Sequence, residues 1–116
     1  MSKILVTGGA GFIPSHLVDA LVKDNHEVTS VDNFVTGKEK NLSTKDNHRF
    51  IKADVNNIDE IEPIIRNGEY EYIFHYAALV GVHRTINNPI GVLNDLSGLE
   101  NLFSLAKETK VRKIFF

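Results

Sequence analysis

The sequence predicts an α/β domain built on a parallel sheet with helices on both faces, and three observations carry that prediction. Short aliphatic runs alternate with longer amphipathic stretches along the chain. A glycine-rich turn, Thr7-Gly8-Gly9-Ala10-Gly11, joins the first aliphatic run directly to the first amphipathic stretch. An acid, Asp32, closes the second run 21 positions beyond Gly11.

Ile4-Leu5-Val6 is compact and aliphatic and stops at Thr7-Gly8-Gly9, the pattern of a buried strand. From about Phe12 to Lys23, Ile13, Leu17, Ala20 and Leu21 recur at spacings of three and four, which predicts an amphipathic helix with those positions on its apolar face. Asp24-Asn25-His26 breaks that helix, and Val28 to Val31 forms a second strand ending at Asp32. The stretch from Asn33 to Asn47 is polar with one glycine and reads as loop with at most a turn of helix. Phe50-Ile51 forms a short third strand, followed by Ala53-Asp54-Val55.

Ile58, Ile61, Ile64 and Ile65 lie on one face of a second helix, which Asn67-Gly68 closes with a glycine cap. Pro63 inside that pattern should kink the helix or mark its true first turn. Tyr72-Ile73-Phe74 is the fourth strand. A long helix follows from about Pro89 to Lys107, with Leu96, Leu99, Leu102, Phe103 and Ala106 on its inner stripe, and Lys113-Ile114-Phe115-Phe116 begins a fifth strand. Strands alternating with helices imply parallel strands joined by right-handed crossovers. The expected result is a Rossmann-like sheet of five mostly parallel strands in the order 3-2-1-4-5.

Length and composition narrow the function. With 116 residues the chain is expected to be one domain, and a chain of this size buries roughly two-thirds of its unfolded surface, enough for a single core. Net charge is -2 with acids and bases interleaved, which leaves no electrostatic footprint for nucleic acid or an anionic membrane. The absence of cysteine excludes disulfides and thiolate metal sites and fits a reducing compartment. No apolar run approaches the roughly 20 residues that span a bilayer, and the N-terminus carries no signal-peptide pattern. The expected setting is cytoplasmic.

The turn at residues 7–13 is the strongest functional signal. Gly8 can make a tight reversal that a side chain would obstruct, and Gly11 lets backbone approach a pyrophosphate seated on the helix N-terminus. Asp32 would accept hydrogen bonds from a ribose diol and repel the 2′-phosphate of NADP. The alternative is a turn that only reverses the chain, with Asp32 a solvated loop acid. Strand, turn, helix and acid in register favour the dinucleotide reading.

With these motifs the whole chain resembles the extended short-chain dehydrogenase/reductases, especially the NAD-dependent nucleotide-sugar epimerases and dehydratases typified by UDP-glucose 4-epimerase. The resemblance rests on Thr7-Gly8-Gly9-Ala10-Gly11-Phe12-Ile13, on Asp32-Asn33-Phe34 followed by Thr36-Gly37, on Ala53-Asp54-Val55 and on Phe74-His75-Tyr76-Ala77-Ala78, in family order and spacing. It implies NAD as cofactor, with a nucleotide sugar as substrate of a complete enzyme. It also implies that Phe12 and Ile13 give backbone donors to the pyrophosphate, and that Asp32 and Asn33, with Thr36 and Gly37 beyond them, serve the adenosine ribose side. Asp54 would bond the adenine amino group, Val55 would pack beside the ring, and Ala77 and Ala78 would line the cofactor floor.

Two positions depart from the family pattern. Its third turn glycine is Pro14 here. Proline in a first helical turn loses no helical hydrogen bond, but it biases Ile13 away from helical angles and puts a ring where the family keeps bare backbone. The fold is expected to survive and NAD affinity to fall. Asp95 stands where the family usually has asparagine, just before Ser97-Gly98 of the long helix. A carboxylate there would alter hydrogen bonding near the reactive end of the cofactor.

Hydride chemistry in that family needs a Ser or Thr after the fifth strand and a Tyr-x-x-x-Lys pair in the next helix. Four positions after Tyr70, Tyr72 and Tyr76 stand Phe74, Tyr76 and Val80, so no catalytic residue is assigned. The five histidines form no i, i+4 pair and none has a carboxylate at metal-motif spacing, so no metal is expected. His75, at a strand end beside the cofactor floor, reads as a satisfied semi-buried histidine. Val82-His83-Arg84 falls where the family touches the sugar. There, Arg84 could meet a diphosphate or be an exposed loop arginine. Lys38-Glu39-Lys40 reads as a solvated loop face.

Three functions remain open. The first is the NAD-binding module of a nucleotide-sugar epimerase/dehydratase-type protein, catalytically incomplete alone. The second is a non-enzymatic, self-associating remnant with weak or no nucleotide binding. A redox-sensing NAD-binding regulator is the third. Ile114, Phe115 and Phe116 on an edge strand, together with the long helix that commonly builds the family's dimer, predict self-association through the last helix, the fifth strand or both.

Overall fold

The computed structural model describes residues 1–33, 45–77, 86–87 and 89–116, apart from the side chains of Val92 and Asn94. Among the described residues, the elements follow in the order β1 (Lys3–Thr7), α1 (Phe12–Lys23), β2 (Glu27–Asp32), β3 (His48–Lys52), α2 (Ile58–Gly68), β4 (Tyr72–His75), α3 (Pro89–Glu108) and β5 (Lys113–Phe115). The strands form a single sheet in the order β3-β2-β1-β4-β5, and every pairing is parallel. The expected Rossmann-like class and strand order are therefore the observed ones. Residues 34–44, most of the expected polar loop, lie outside the described residues.

Alternation along the strands divides the core into two layers, because successive side chains of a strand point to opposite faces. On one face Ile4, Val6 and Val28 pack with Val18 and Val22 of α1. On the other, Leu5, Val31 and Ile73 pack with Ile61 and Ile65 of α2 and with Leu102 and Leu105 of α3. Each such aliphatic side chain taken from water contributes about 1.5–3 kcal/mol. Leu5, Ile61, Ile65, Ile73 and Leu102 are the largest that are wholly enclosed, so β1 and the α2–α3 pair anchor the fold. An ion pair from Arg66 of α2 to Glu108 of α3 braces the same two helices at the surface.

The helices are turned differently from the sequence expectation. In α1 the buried positions are Pro14, Ser15, Val18 and Val22, while Ile13 and Ala20 are exposed and Leu17 and Leu21 flank the contact. Gly11 is an extended N-cap, and Pro14 is the first buried side chain of the helix that follows. In α2, Ile61 and Ile65 are buried but Ile58, at the helix entry, is exposed. In α3, Gly98, Leu102 and Leu105 face inward, whereas Leu96 and Phe103 of the expected inner stripe are 64% and 44% exposed. That helix carries apolar residues around most of its circumference, so spacing alone does not select the side that meets the sheet.

Pro63 neither ends nor starts α2. Asn57 caps the helix with its side chain accepting from the Asp59 N–H, and the helix runs unbroken through Pro63. The expected glycine cap is also corrected. Gly68 is the last helical residue, and the left-handed position belongs to Glu69, with φ 52°. Gly68 is needed for a different reason: the Tyr70 ring folds over it, into the space a β-carbon would fill.

Candidate functional site

The four strand registers place the ends of β1, β2 and β4 side by side, with Thr7 opposite both Val31 and His75. The chain winds from β1 through β2 to β3, then returns across β1 to β4. Crevices at such a reversal are where open α/β sheets bind ligands. The segments that follow the strands therefore form one rim: Gly8–Gly11, Asp32–Asn33, Ala53–Val55 and Tyr76–Ala77.

The glycine turn is folded down onto this rim. Gly8 has φ +73°, a left-handed conformation that favours glycine, and its N–H donates to the Val31 carbonyl at 2.6 Å. A β-carbon there would stand 2.9 Å from the Ala77 nitrogen, so the turn touches the end of β4 through bare backbone. Gly9, to which the spacing assigns no role, is packed as closely on β2: a β-carbon would stand 2.5 Å from Ser30 Cβ. No local signal marks that requirement, because the obstructing side chain comes from a neighbouring strand.

Asp32 links the turn to β2. Its carboxylate accepts from the Ala10 N–H at 3.0 Å, and the residue is buried. Gly11 N–H closes the turn on the Gly8 carbonyl at 2.9 Å, and Ser15 N–H makes the first full helical bond to Gly11. Pro14, between them, has no N–H, and this position of a first turn has no helical acceptor in any case. Ile13 is nonetheless helical. Among the described residues, this leaves the N–H groups of Phe12 and Ile13 without a partner at the positive end of α1. Both side chains are largely exposed, 74% and 67%, around that opening.

On the β3 side, the Ala53 N–H bonds the Asp32 carbonyl at 3.2 Å, which joins the two strand ends. The Asp54 carboxylate is half-buried and accepts from the Asn56 N–H at 2.9 Å. Val55 is buried in the core, and its carbonyl accepts from Asn101 Nδ2 of α3 at 3.0 Å. One turn earlier Gly98 meets Asn56 with no room for a side chain, and one turn before that Asp95 accepts from Asn56 Nδ2 at 3.4 Å. One face of α3 thus holds the loop that carries Asp54 and Val55. Asp95 bears on that loop, a contact the spacing did not announce.

Beneath the crevice, Thr7 Oγ1 lies 2.7 Å from His75 Nδ1 and accepts from the N–H groups of Tyr76 and Ala77 at 3.0 and 3.2 Å. Burial holds His75 below the usual histidine range, against the opposing field of Asp95. Of the expected site residues, Gly8, Gly11, Phe12, Ile13, Asp32, Asn33, Asp54, Val55 and Ala77 all fall on the rim. Thr36, Gly37 and Ala78 lie outside the described residues, as do Val82, His83, Arg84 and Lys38–Lys40. Among the described residues no group of three or more His, Asp or Glu could hold a metal ion. No described helix is long and apolar enough to cross a membrane.

The sequence profile of the NAD dependent epimerase/dehydratase family matches residues 4–116. The chain belongs to that family. It is 40% identical over 111 residues to UDP-glucuronic acid decarboxylase 1 of Danio rerio, covering 95% of this chain and 26% of that one. With the UDP-glucose 4-epimerase of Mycolicibacterium smegmatis it shares 35% identity over 116 residues, 97% of this chain and 37% of the relative. Among solved structures, the Thermus thermophilus UDP-glucose 4-epimerase in complex with NAD superposes with a TM-score of 0.89 at 32% identity, over 97% of this chain and 36% of that one. The chain thus spans about a third of the length of epimerase relatives it matches. Epimerases and a decarboxylase share this portion of the family fold, so the portion itself does not discriminate between their reactions.

Proposed function

We propose that residues 1–116 form the NAD-binding Rossmann portion of a nucleotide-sugar epimerase/dehydratase-type protein, catalytically incomplete without further residues. The observation that carries this reading is the Asp32–Ala10 bond beside the two unpartnered N–H groups of Phe12 and Ile13. It sets a carboxylate at the ribose position and two donors at the pyrophosphate position, within one turn. Gly8 and Gly11 shape the backbone approach, Asn33 serves the ribose side, Asp54 and Val55 serve the adenine, and Ala77 lines the floor. The family resemblance assigns Thr36 and Gly37 to the ribose side and Ala78 to the floor, outside the described residues. When bound, NAD would supply the hydride acceptor, and this chain's residues would hold and orient it. The cellular setting is proposed as cytoplasmic.

The residues present fit the cofactor in two physical respects. Gly8 and Gly9, without side chains, let the turn lie directly against the end of β4 and against β2, which keeps its backbone at the edge of the crevice. Asp32, with one carboxylate oxygen on the Ala10 N–H, is oriented rather than free to swing. Calorimetric titration of the chain with NAD and with NADP tests the reading. Saturable NAD binding with weaker NADP binding supports it, and equal or absent binding of both rejects it.

A second reading is favoured by a separate observation. Ile86, Ile90, Leu93, Leu96 and Phe103 are exposed on or just ahead of α3, and Phe115 and Phe116 are exposed at the sheet edge. Phe103 and Phe116 meet edge to face, so these surfaces are continuous. Such a patch fits a domain that self-associates, whether or not it retains nucleotide.

A further inference from the structure

We propose that His75 is a positioning residue for the cofactor floor, acting through Thr7, and that it does so only as the neutral imidazole with its proton on Nε2. The proposal rests on the reading of the crevice as a dinucleotide site, and its first test does not.

A threonine hydroxyl has one proton to give and two lone pairs to accept with. Thr7 Oγ1 accepts from the N–H of Ala77 at 3.2 Å and from that of Tyr76 at 3.0 Å, the latter shared with the Thr7 carbonyl at 3.1 Å, so both lone pairs are engaged. Thr7 is wholly buried, and among the described residues the remaining polar neighbour of its hydroxyl is His75 Nδ1, at 2.7 Å. The hydroxyl must therefore donate to Nδ1, and Nδ1 must be unprotonated. The ring proton resides on Nε2.

An imidazolium carries a proton on Nδ1 as well. Two donors would then face each other across 2.7 Å, and the Thr7 hydroxyl would have to turn and give up at least one of its two backbone N–H bonds. The segment loosened, though still held by the Tyr76 N–H on the Thr7 carbonyl, is Tyr76–Ala77, the stretch against which Gly8 rests without a β-carbon. Loss of the Thr7 bonds is thus passed by direct contact to the turn that meets the pyrophosphate.

Among the described residues, the charged group facing His75 is Asp95 of α3, which favours the imidazolium; burial opposes it and prevails. The folded-state value lies below the usual one of about 6.5. The contribution is therefore complete above that pH and is lost as pH falls through the folded value.

The test uses the whole chain, labelled with 15N. Without any nucleotide, the His75 ring nitrogens should report the Nε2-protonated tautomer near neutrality. The Tyr76 and Ala77 amide signals should move with the His75 titration. An Nδ1-protonated ring, or amide signals indifferent to that titration, overturns the proposal. The second arm is NAD titration from about pH 8 to about pH 5.5. His75→Asn offers Thr7 an acceptor in place of Nδ1 and cannot ionise. It should bind NAD within about threefold of the parent at the upper pH and lose the acid dependence. His75→Leu, which leaves the Thr7 proton unpaired, should bind about tenfold more weakly throughout. Retention of the parental pH profile by His75→Asn also overturns the proposal. Failure of every form to bind NAD rejects the cofactor reading, and the nitrogen and amide signals still decide the role of His75.

Discussion

The buried Asp32 carboxylate accepts a hydrogen bond from the backbone N–H of Ala10 at 3.0 Å. A single side chain therefore ties the end of β2 to the middle of the glycine turn. The bond serves the fold whether or not nucleotide is present, because a buried N–H that loses its acceptor costs about 1–3 kcal/mol.

Asp32→Ala is accordingly expected to lower unfolding free energy by about 1–3 kcal/mol and to weaken NAD binding while reducing the preference over NADP. Urea denaturation measures the first effect and calorimetry the second. A variant destabilised to this degree with an unchanged ratio of the two affinities would confine Asp32 to a structural role.

Pro14→Gly separates affinity from stability. Glycine restores a third N–H at the start of α1, beside those of Phe12 and Ile13, so NAD binding should tighten by a few-fold, about 1 kcal/mol. The same change removes a buried ring and a residue with restricted backbone, and should destabilise the fold by roughly 1–2 kcal/mol. Opposite shifts in affinity and melting temperature are the expected signature, and tighter binding with no stability loss would contradict the packing seen at Pro14.

Tyr70 should confer a stability that fails in alkali. Burial raises its pKa above the ordinary tyrosine value near 10, while its bond to Thr29 acts the other way. A raised folded-state value means that stability is complete below about pH 10 and is lost as pH rises through the folded value. Tyr70→Phe should cost about 1 kcal/mol at neutral pH and flatten the alkaline decline. Parallel declines in parent and variant between pH 9 and 11 would show that other groups control it, in this range of about two pH units.

The exposed stripe on α3 gives a prediction about solution state. Leu93→Glu combined with Leu96→Glu places two charges where both parent side chains are exposed, so the fold should tolerate them. Light scattering at roughly 100 μM should show the parent associated and the double variant monomeric. A parent that is already monomeric at that concentration removes the self-association reading.

The strands, the glycine turn and Asp32 were legible because their signals are local: an aliphatic run of a few residues, a cluster of glycines, an acid at a set distance. The strand order followed from alternation read together with the glycine turn and Asp32, which mark the Rossmann-like arrangement. Helix rotation was not legible. Ile13 and Leu96 satisfy the same spacings as residues that are buried, and the choice between faces is made by packing on the sheet. Gly68 and Gly9 illustrate a second limit. Each is required by a side chain, Tyr70 or Ser30, whose position depends on the tertiary fold. The Thr7–His75 contact, across a separation of 68 residues, is of the same kind.

That separation has a kinetic consequence. β1 occupies the centre of the sheet yet precedes the other four strands in the chain, and its partner on one side, β4, ends only at His75. Until that stretch has emerged from the ribosome, Ile4, Leu5 and Val6 have backbone paired on one edge at most. Closing such long loops before any contact rewards them makes parallel sheets slow to assemble. The central strand is thus the longest exposed during synthesis, and conditions that prolong translation through β3 and α2 should raise the fraction of chains captured by chaperones or lost to aggregation.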